Sequence, residues 1–269
     1  MINTIRRLAR RVRRTASGDV INKPVMFLHV PKCGGTSIQV ALQEAYGLRS
    51  GIRIDLRGTI HHNASFRLNS HASKDAADRL GMPLHELREH VLLYHMSESK
   101  AKFISGHFCF SNAAYEGFKT EYNWITLIRD PVARWYSHYF YNRDKKGDHF
   151  AVDDTIDNYL RSSTAQSTGS LIARFLAGTD CKENHIVEHA IENIAKFDVV
   201  GVLENLGTFK RDLKRVLGAN IDIPVRNTSP TPASQKHKEI TPDIHRQVVD
   251  LCKPDQEVYD YVIERYMIT

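Results

Sequence analysis

The stretch "VMFLHVPKCGGTS" (residues 25–37) decides how the rest of the chain is read. Its first half is a continuous apolar run, as expected of a strand buried on both faces. Its second half supplies a lysine, two glycines and two hydroxyls. Gly34 and Gly35 permit a tight turn and close backbone approach to a ligand. Thr36 and Ser37 open a helix, whose first N–H groups and dipole favour an anion. Lys32 adds a point charge and Cys33 sits inside the turn. Lysine precedes the glycines, whereas the nucleotide-triphosphate loop GxxxxGK[ST] places it after them. That string occurs nowhere in the chain, and no GxGxxG follows the first strand. The loop is short, which suits one terminal phosphate group better than a triphosphate chain.

Outward from this loop, strands alternate with helices. "KFISG", "NWITLI" and "FDVVGVL" read as further buried strands. Helices are expected over "TSIQVALQEAYG", "PLHELREHVLLYHM", "PVARWYSHYFYNR", "NLGTFKRDLKRVLG", most of 153–196, and 241–252 and 254–267. Residues 48–82 have weak periodicity. The pattern predicts an α/β domain, a three-layer arrangement with a central, mainly parallel sheet flanked by helices. Ligands on such sheets bind beyond the carboxyl ends of the strands. Both "PKCGGTS" and "RDPVARWYS" stand at such ends. One α/β domain over 21–269 follows a basic tail over 1–20.

The chain has 269 residues, 42% hydrophobic and 25% charged, with a net charge of +6. Part of that charge lies in "TIRRLARRVRRTA", with six arginines and no acid. It reads as a solvated tail, with peripheral membrane contact, nucleic-acid contact or an organelle presequence as alternatives. No nucleic-acid partner is expected of the chain as a whole. No apolar run reaches the roughly 18 residues of a membrane span, and residues 1–24 hold no secretory apolar core. Four dispersed cysteines without a CxxC pair fit a reducing compartment. A soluble, cytoplasmic protein is expected. His61 and His62 form a pair, but no cysteine or carboxylate spacing accompanies them, and no metal site is expected.

In "LIRDPVARWYSHY", Arg129 at a strand end can offer a forked grip to a phosphate. Ser137, two helical turns later, can add a hydroxyl. An Arg129–Asp130 structural ion pair is the alternative, and Arg134 reads as a support for the loop. His107 follows "KFISG" at another strand end, where a histidine suits general-base chemistry at neutral pH. A hydrogen-bonded structural role is its alternative. His29 reads as buried core, and His138 as helical.

"HVPKCGGTS" resembles the 5′-phosphosulfate loop of sulfotransferases that use 3′-phosphoadenosine 5′-phosphosulfate (PAPS). It is nearest to the heparan sulfate 2-O-sulfotransferase-like carbohydrate group, where the loop reads PKTGGTS; here Cys33 replaces the usual threonine. "RDPVARWYS" resembles the same family's 3′-phosphate motif, an arginine and a serine eight residues apart, matched by Arg129 and Ser137. "SGHF" resembles the segment that carries the catalytic histidine. The resemblance spans roughly 24–265 and is weak over 48–100 and 145–195. It implies a P-loop-like fold and sulfuryl transfer from PAPS to an acceptor hydroxyl, on a saccharide by analogy. His107 would be the base and Lys32 the residue that neutralises the leaving oxygen. Residues 32–37, Arg129 and Ser137 would hold the nucleotide. The late loop "RNTSPTPASQKHK" would contribute Arg226, Ser229 and Lys236, unless it is a mobile surface loop without a ligand role. An ATP-dependent small-molecule kinase and a non-catalytic nucleotide- or polyanion-binding module are the rival readings.

Overall fold

The structure is a computed structural model that describes residues 21, 23–46, 51–54, 84–98, 101–145, 151–224, 232, 234 and 238–267. Its centre is a five-stranded sheet in the order β2-β3-β1-β4-β5, every neighbouring pair parallel. The strands are β1 (Val25–Leu28), β2 (Gly51–Ile54), β3 (Phe103–Gly106), β4 (Asn123–Ile128) and β5 (Val199–Val202). The expected P-loop-like α/β arrangement is present.

Alternation along the strands sorts side chains between two cores. Val25 and Phe27 of β1 face one way, with Ile125 and Leu127 of β4. That face is covered by α1 (Gly35–Tyr46), through Ile38, Ala41 and Leu42, and by α9 (Leu206–Leu217), through Phe209, Leu213 and Leu217. Met26, Leu28, Ile104, Trp124 and Val200 face the other way. They meet Leu92 and Met96 of α2 (Leu84–Glu98) and Ala114 of α3 (Asn112–Phe118). Ile172 of α7 (Leu171–Ala177), Ala190 of α8 (Ile186–Ile194) and Val258 and Val262 of α11 (Lys253–Tyr266) complete this larger core. Helices on both faces leave every residue of β1, β3, β4 and β5 buried, which is why those strands read as unbroken apolar runs.

A third cluster sits apart from these two. Trp135, Tyr139 and Phe140 of α4 (Pro131–Arg143) pack with Ile156, Tyr159 and Leu160 of α5 (Ile156–Leu160). Ala165 of α6 (Ser163–Gly169) and Ile244 and Val248 of α10 (Pro242–Leu251) join them. The start of α4 is set by chemistry visible in "RDP": Pro131 occupies the first turn, and Asp130 caps it by accepting the Ala133 N–H at 2.7 Å.

Most expected elements lie within two residues of their sequence limits; β1, expected to reach Val30, ends at Leu28. Two elements were not anticipated: β2, at the sheet edge, and the seven-residue α3, which Ser111 caps through the Ala114 N–H. No helix among the described residues is long and apolar enough to cross a membrane.

Candidate functional site

The site assembles where the connections leave the sheet in opposite directions. The chain leaves β1 through α1 towards β2 on one side, and leaves β4 through α4 towards β5 on the other. Such a switch point opens a crevice at the carboxyl ends of adjacent strands.

The loop after β1 has the backbone of an anion cradle. Gly34 has φ +80° and Lys32 has φ +67°, the only non-glycine residue in the left-handed region among those described. Left-handed residues in a turn gather successive N–H groups into a concavity for anions. A lysine there costs about 1–2 kcal/mol, and such strain concentrates at ligand clamps. Among the described residues, the N–H groups of Gly34, Gly35 and Thr36 donate to no backbone carbonyl, and Gly35 opens α1. Gly35 also permits a close approach: a Cβ there would lie 2.1 Å from His29 Cδ2. The buried His29 ring therefore fills the space beneath the start of the helix.

Cys33 is fully buried, its thiol facing the Pro31 carbonyl at 3.8 Å, and burial pushes the thiol up to about 12. It is a core side chain, so any donor it contributes must come from the backbone. Thr36 is exposed and Ser37 half-buried. The Lys32 ammonium lies 3.5 Å from the centre of the Tyr141 ring, a cation–π contact on the third turn of α4. Lys145 approaches the same ring at 5.0 Å.

Arg129 follows β4 and reaches across to the cradle, where its Nη1 donates to the Lys32 carbonyl at 3.4 Å. Its Nε lies 3.8 Å from Glu204 Oε1. The two motifs, 97 residues apart in the chain, are therefore in contact. Ser137 lies half-buried on α4, one turn before Tyr141. The alternative reading, an Arg129–Asp130 ion pair, is not what the structure shows: Arg129 faces Glu204, and the Asp130 carboxylate is turned to the helix N-terminus. Arg134 is a structural residue: fully buried, 3.7 Å from Asp255 and donating to the Thr168 carbonyl. Asp255 in turn accepts the Ile172 and Ala173 N–H groups at 3.0 and 2.8 Å. Burial pushes that carboxyl up to about 6, against the pull of Arg134 and the two N–H groups.

His107 follows β3 at the same level as the cradle, because Gly106 is in register with Leu28. Its Nδ1 lies 2.7 Å from the His29 carbonyl oxygen. A carbonyl only accepts, so Nδ1 carries the hydrogen and the lone pair of the neutral ring lies on Nε2. The backbone carbonyl of His107 is held by Arg88 at 3.0 Å. The rings of His29 and His107 lie 4.3 Å apart. Burial, helped by the charges of His107, Arg53 and Lys32, holds His29 well below the usual imidazole range. His138 is paired with Asn142 at 3.0 Å and Tyr159 at 3.5 Å. Burial, then Arg134, Lys32 and Lys145, push it down to about 3.

Arg226, Ser229 and Lys236, the histidine pair at 61 and 62, and the basic tail over 1–20 lie outside the described residues. Among those described, no cluster of three or more histidine, cysteine or acidic side chains could hold a metal. Sequence reasoning missed Tyr141 and Glu204. The signal for Glu204 was available: "VVGVLE" puts an acid just past a strand's carboxyl end, as Arg129 and His107 are placed.

No protein-family model matches the chain. No curated protein matches it in sequence either. Among solved structures, a sulfotransferase from Alicyclobacillus acidocaldarius aligns with a TM-score of 0.43 and 13% identity. The alignment covers 90% of this chain and 96% of that one.

Proposed function

We propose that the protein is a sulfotransferase that moves the sulfuryl group of PAPS to an acceptor hydroxyl, with a saccharide as the acceptor class. The observation that carries this reading is the contact between Arg129 and the Lys32 carbonyl. It joins two anion grips that the sequence resemblance assigns to opposite ends of one 3′,5′-bisphosphorylated nucleotide. The orphan N–H groups of the left-handed loop fit a 5′-phosphosulfate, and the Arg129 guanidinium fits a 3′-phosphate. PAPS supplies an activated sulfuryl group on a phosphate leaving group.

The residues then divide the work. His107 Nε2 takes the proton of the acceptor hydroxyl as the new oxygen–sulfur bond forms. Lys32 leaves its resting place on Tyr141 and neutralises the bridging oxygen as the sulfur–oxygen bond to the nucleotide breaks. The products are a sulfate ester, 3′-phosphoadenosine 5′-phosphate and a proton held on His107. As in phosphoryl transfer, positioning and charge stabilisation carry most of the barrier reduction. The saccharide class rests on the resemblance, together with the exposed Tyr141 ring beside Lys32, which offers a stacking surface.

The test is thermal stabilisation by 3′-phosphoadenosine 5′-phosphate against ADP, ATP with magnesium, and adenosine 5′-phosphosulfate. A ligand at 100 times its dissociation constant adds about 2.7 kcal/mol. Preference for the bisphosphate supports the reading; preference for ATP–magnesium replaces it with a kinase, and no response removes the nucleotide. His107→Ala should then lower transfer by about 10²–10⁴-fold while bisphosphate affinity stays as it was. Wild-type turnover in that variant would dismiss His107 as base.

A further inference from the structure

Arg129 does not meet a ligand as a lone cation. Glu204 stands two residues past β5, and the segment that carries it packs directly on the cradle: a Cβ on Gly34 would lie 2.7 Å from Leu203 Cδ1. One carboxylate oxygen of Glu204 is 3.8 Å from Arg129 Nε. The other accepts the Asp130 N–H at 3.3 Å and the Tyr259 hydroxyl at 3.4 Å. The Tyr259 phenol is pushed up to about 12 by burial and by Glu204 itself, so it remains a donor at neutral pH. The carboxylate is thus held in place by groups other than Arg129.

The contact with Arg129 is electrostatic and loose. At 3.8 Å it exceeds hydrogen-bond length, and Arg129 Nε, although buried, has no hydrogen-bond partner. A clamp that oriented the guanidinium would close that gap. A fixed charge that offsets the guanidinium needs only proximity. We propose that Glu204 is a resident counter-ion that weakens the grip of Arg129 on a 3′-phosphate, and so speeds departure of the bisphosphate product. This rests on the nucleotide reading above. The carboxylate sits on the Nε side of the fork and stays there when a phosphate arrives, so the ligand pays a like-charge penalty at close range in a half-buried site. The 5′ group, held by the loop N–H groups and Lys32, pays less of it.

The test is Glu204→Gln, which keeps the size and the acceptor oxygen but removes the charge. Binding of 3′-phosphoadenosine 5′-phosphate should tighten about tenfold and its dissociation slow correspondingly, while AMP binding changes less than twofold. Glu204→Ala, which also drops the contacts to Asp130 and Tyr259, should tighten the bisphosphate in the same direction. Weaker bisphosphate binding in both variants would make Glu204 a positioning residue and overturn the proposal. An equal change for bisphosphate and AMP, or none, would overturn it as well. If the wild-type protein binds neither nucleotide, the nucleotide reading itself falls and takes this inference with it.

Discussion

Arg129 and Arg134 belong to one short stretch, "RDPVAR", yet they occupy opposite environments. Arg134 points into the protein, fully buried against Asp255 and the Thr168 carbonyl, and joins α4 to the end of α6 and to α11. Arg129 points along the crevice, about a quarter exposed, touching the Lys32 carbonyl and, loosely, Glu204. The same side chain serves architecture in one case and, on the proposed function, meets a ligand in the other. What separates them is burial: Arg134 is enclosed with a fully buried carboxylate, whereas Arg129 and Glu204 both stay partly open to the crevice.

Removing Arg134 tests the architectural half and should have the largest effect. Arg134→Met strands the Asp255 carboxylate in the core and should cost about 3–5 kcal/mol in urea unfolding. Replacing Asp255 by asparagine in the same chain should recover part of it. A loss below about 1 kcal/mol would erase the contrast between the two arginines. Arg129→Gln should behave in the opposite way, with bisphosphate affinity lowered about 10–100-fold, the range for charge-assisted hydrogen bonds. Its unfolding free energy should stay within about 0.5 kcal/mol of wild type. A matching loss of stability would make Arg129 structural too.

The smallest effect concerns His138, whose imidazole is held down by burial, then by Arg134, Lys32 and Lys145. Its folded-state pKa is depressed, so its contribution to stability is present above about 6.5 and is lost as pH falls towards about 3. At pH 5 the unfolded chain takes up this proton and the folded chain does not, which removes about 2 kcal/mol. His138→Gln should flatten that part of the pH–stability curve, sharpening the view of α4 as partly buried around His138. An unchanged curve would mean that another buried histidine carries the acid sensitivity.

The parts of this molecule that were legible in its sequence are those where one local signal decides. "NWITLIRDP" delimits β4 and the start of α4 to the residue, because an apolar run ends at a cap and a proline. The Gly-Gly turn marks the cradle for a similar reason. β2 was not legible: "GIRI" is four residues long, carries an arginine and lies at the sheet edge, where it needs only one partner strand. α3 was missed because seven residues are too few to display a helical period. At the site, sequence placed Lys32, His107 and Arg129 at strand ends, a property of the chain's local order. It could not place Tyr141 under Lys32 or Glu204 beside Arg129, since each contact depends on how a helix or strand end is docked across the crevice.

His29 touches both working parts of the crevice with different atoms. Its ring packs beneath Gly35, and its carbonyl accepts the Nδ1 hydrogen of His107. Its own backbone N–H is pinned to the Gly106 carbonyl at 3.0 Å. One residue therefore acts as a gauge block between the floor of the Gly-Gly loop and the imidazole. The spacing between the loop and the imidazole is set by the residue just past β1. A larger side chain at position 35 would shift floor and imidazole together, so the two cannot be tuned separately.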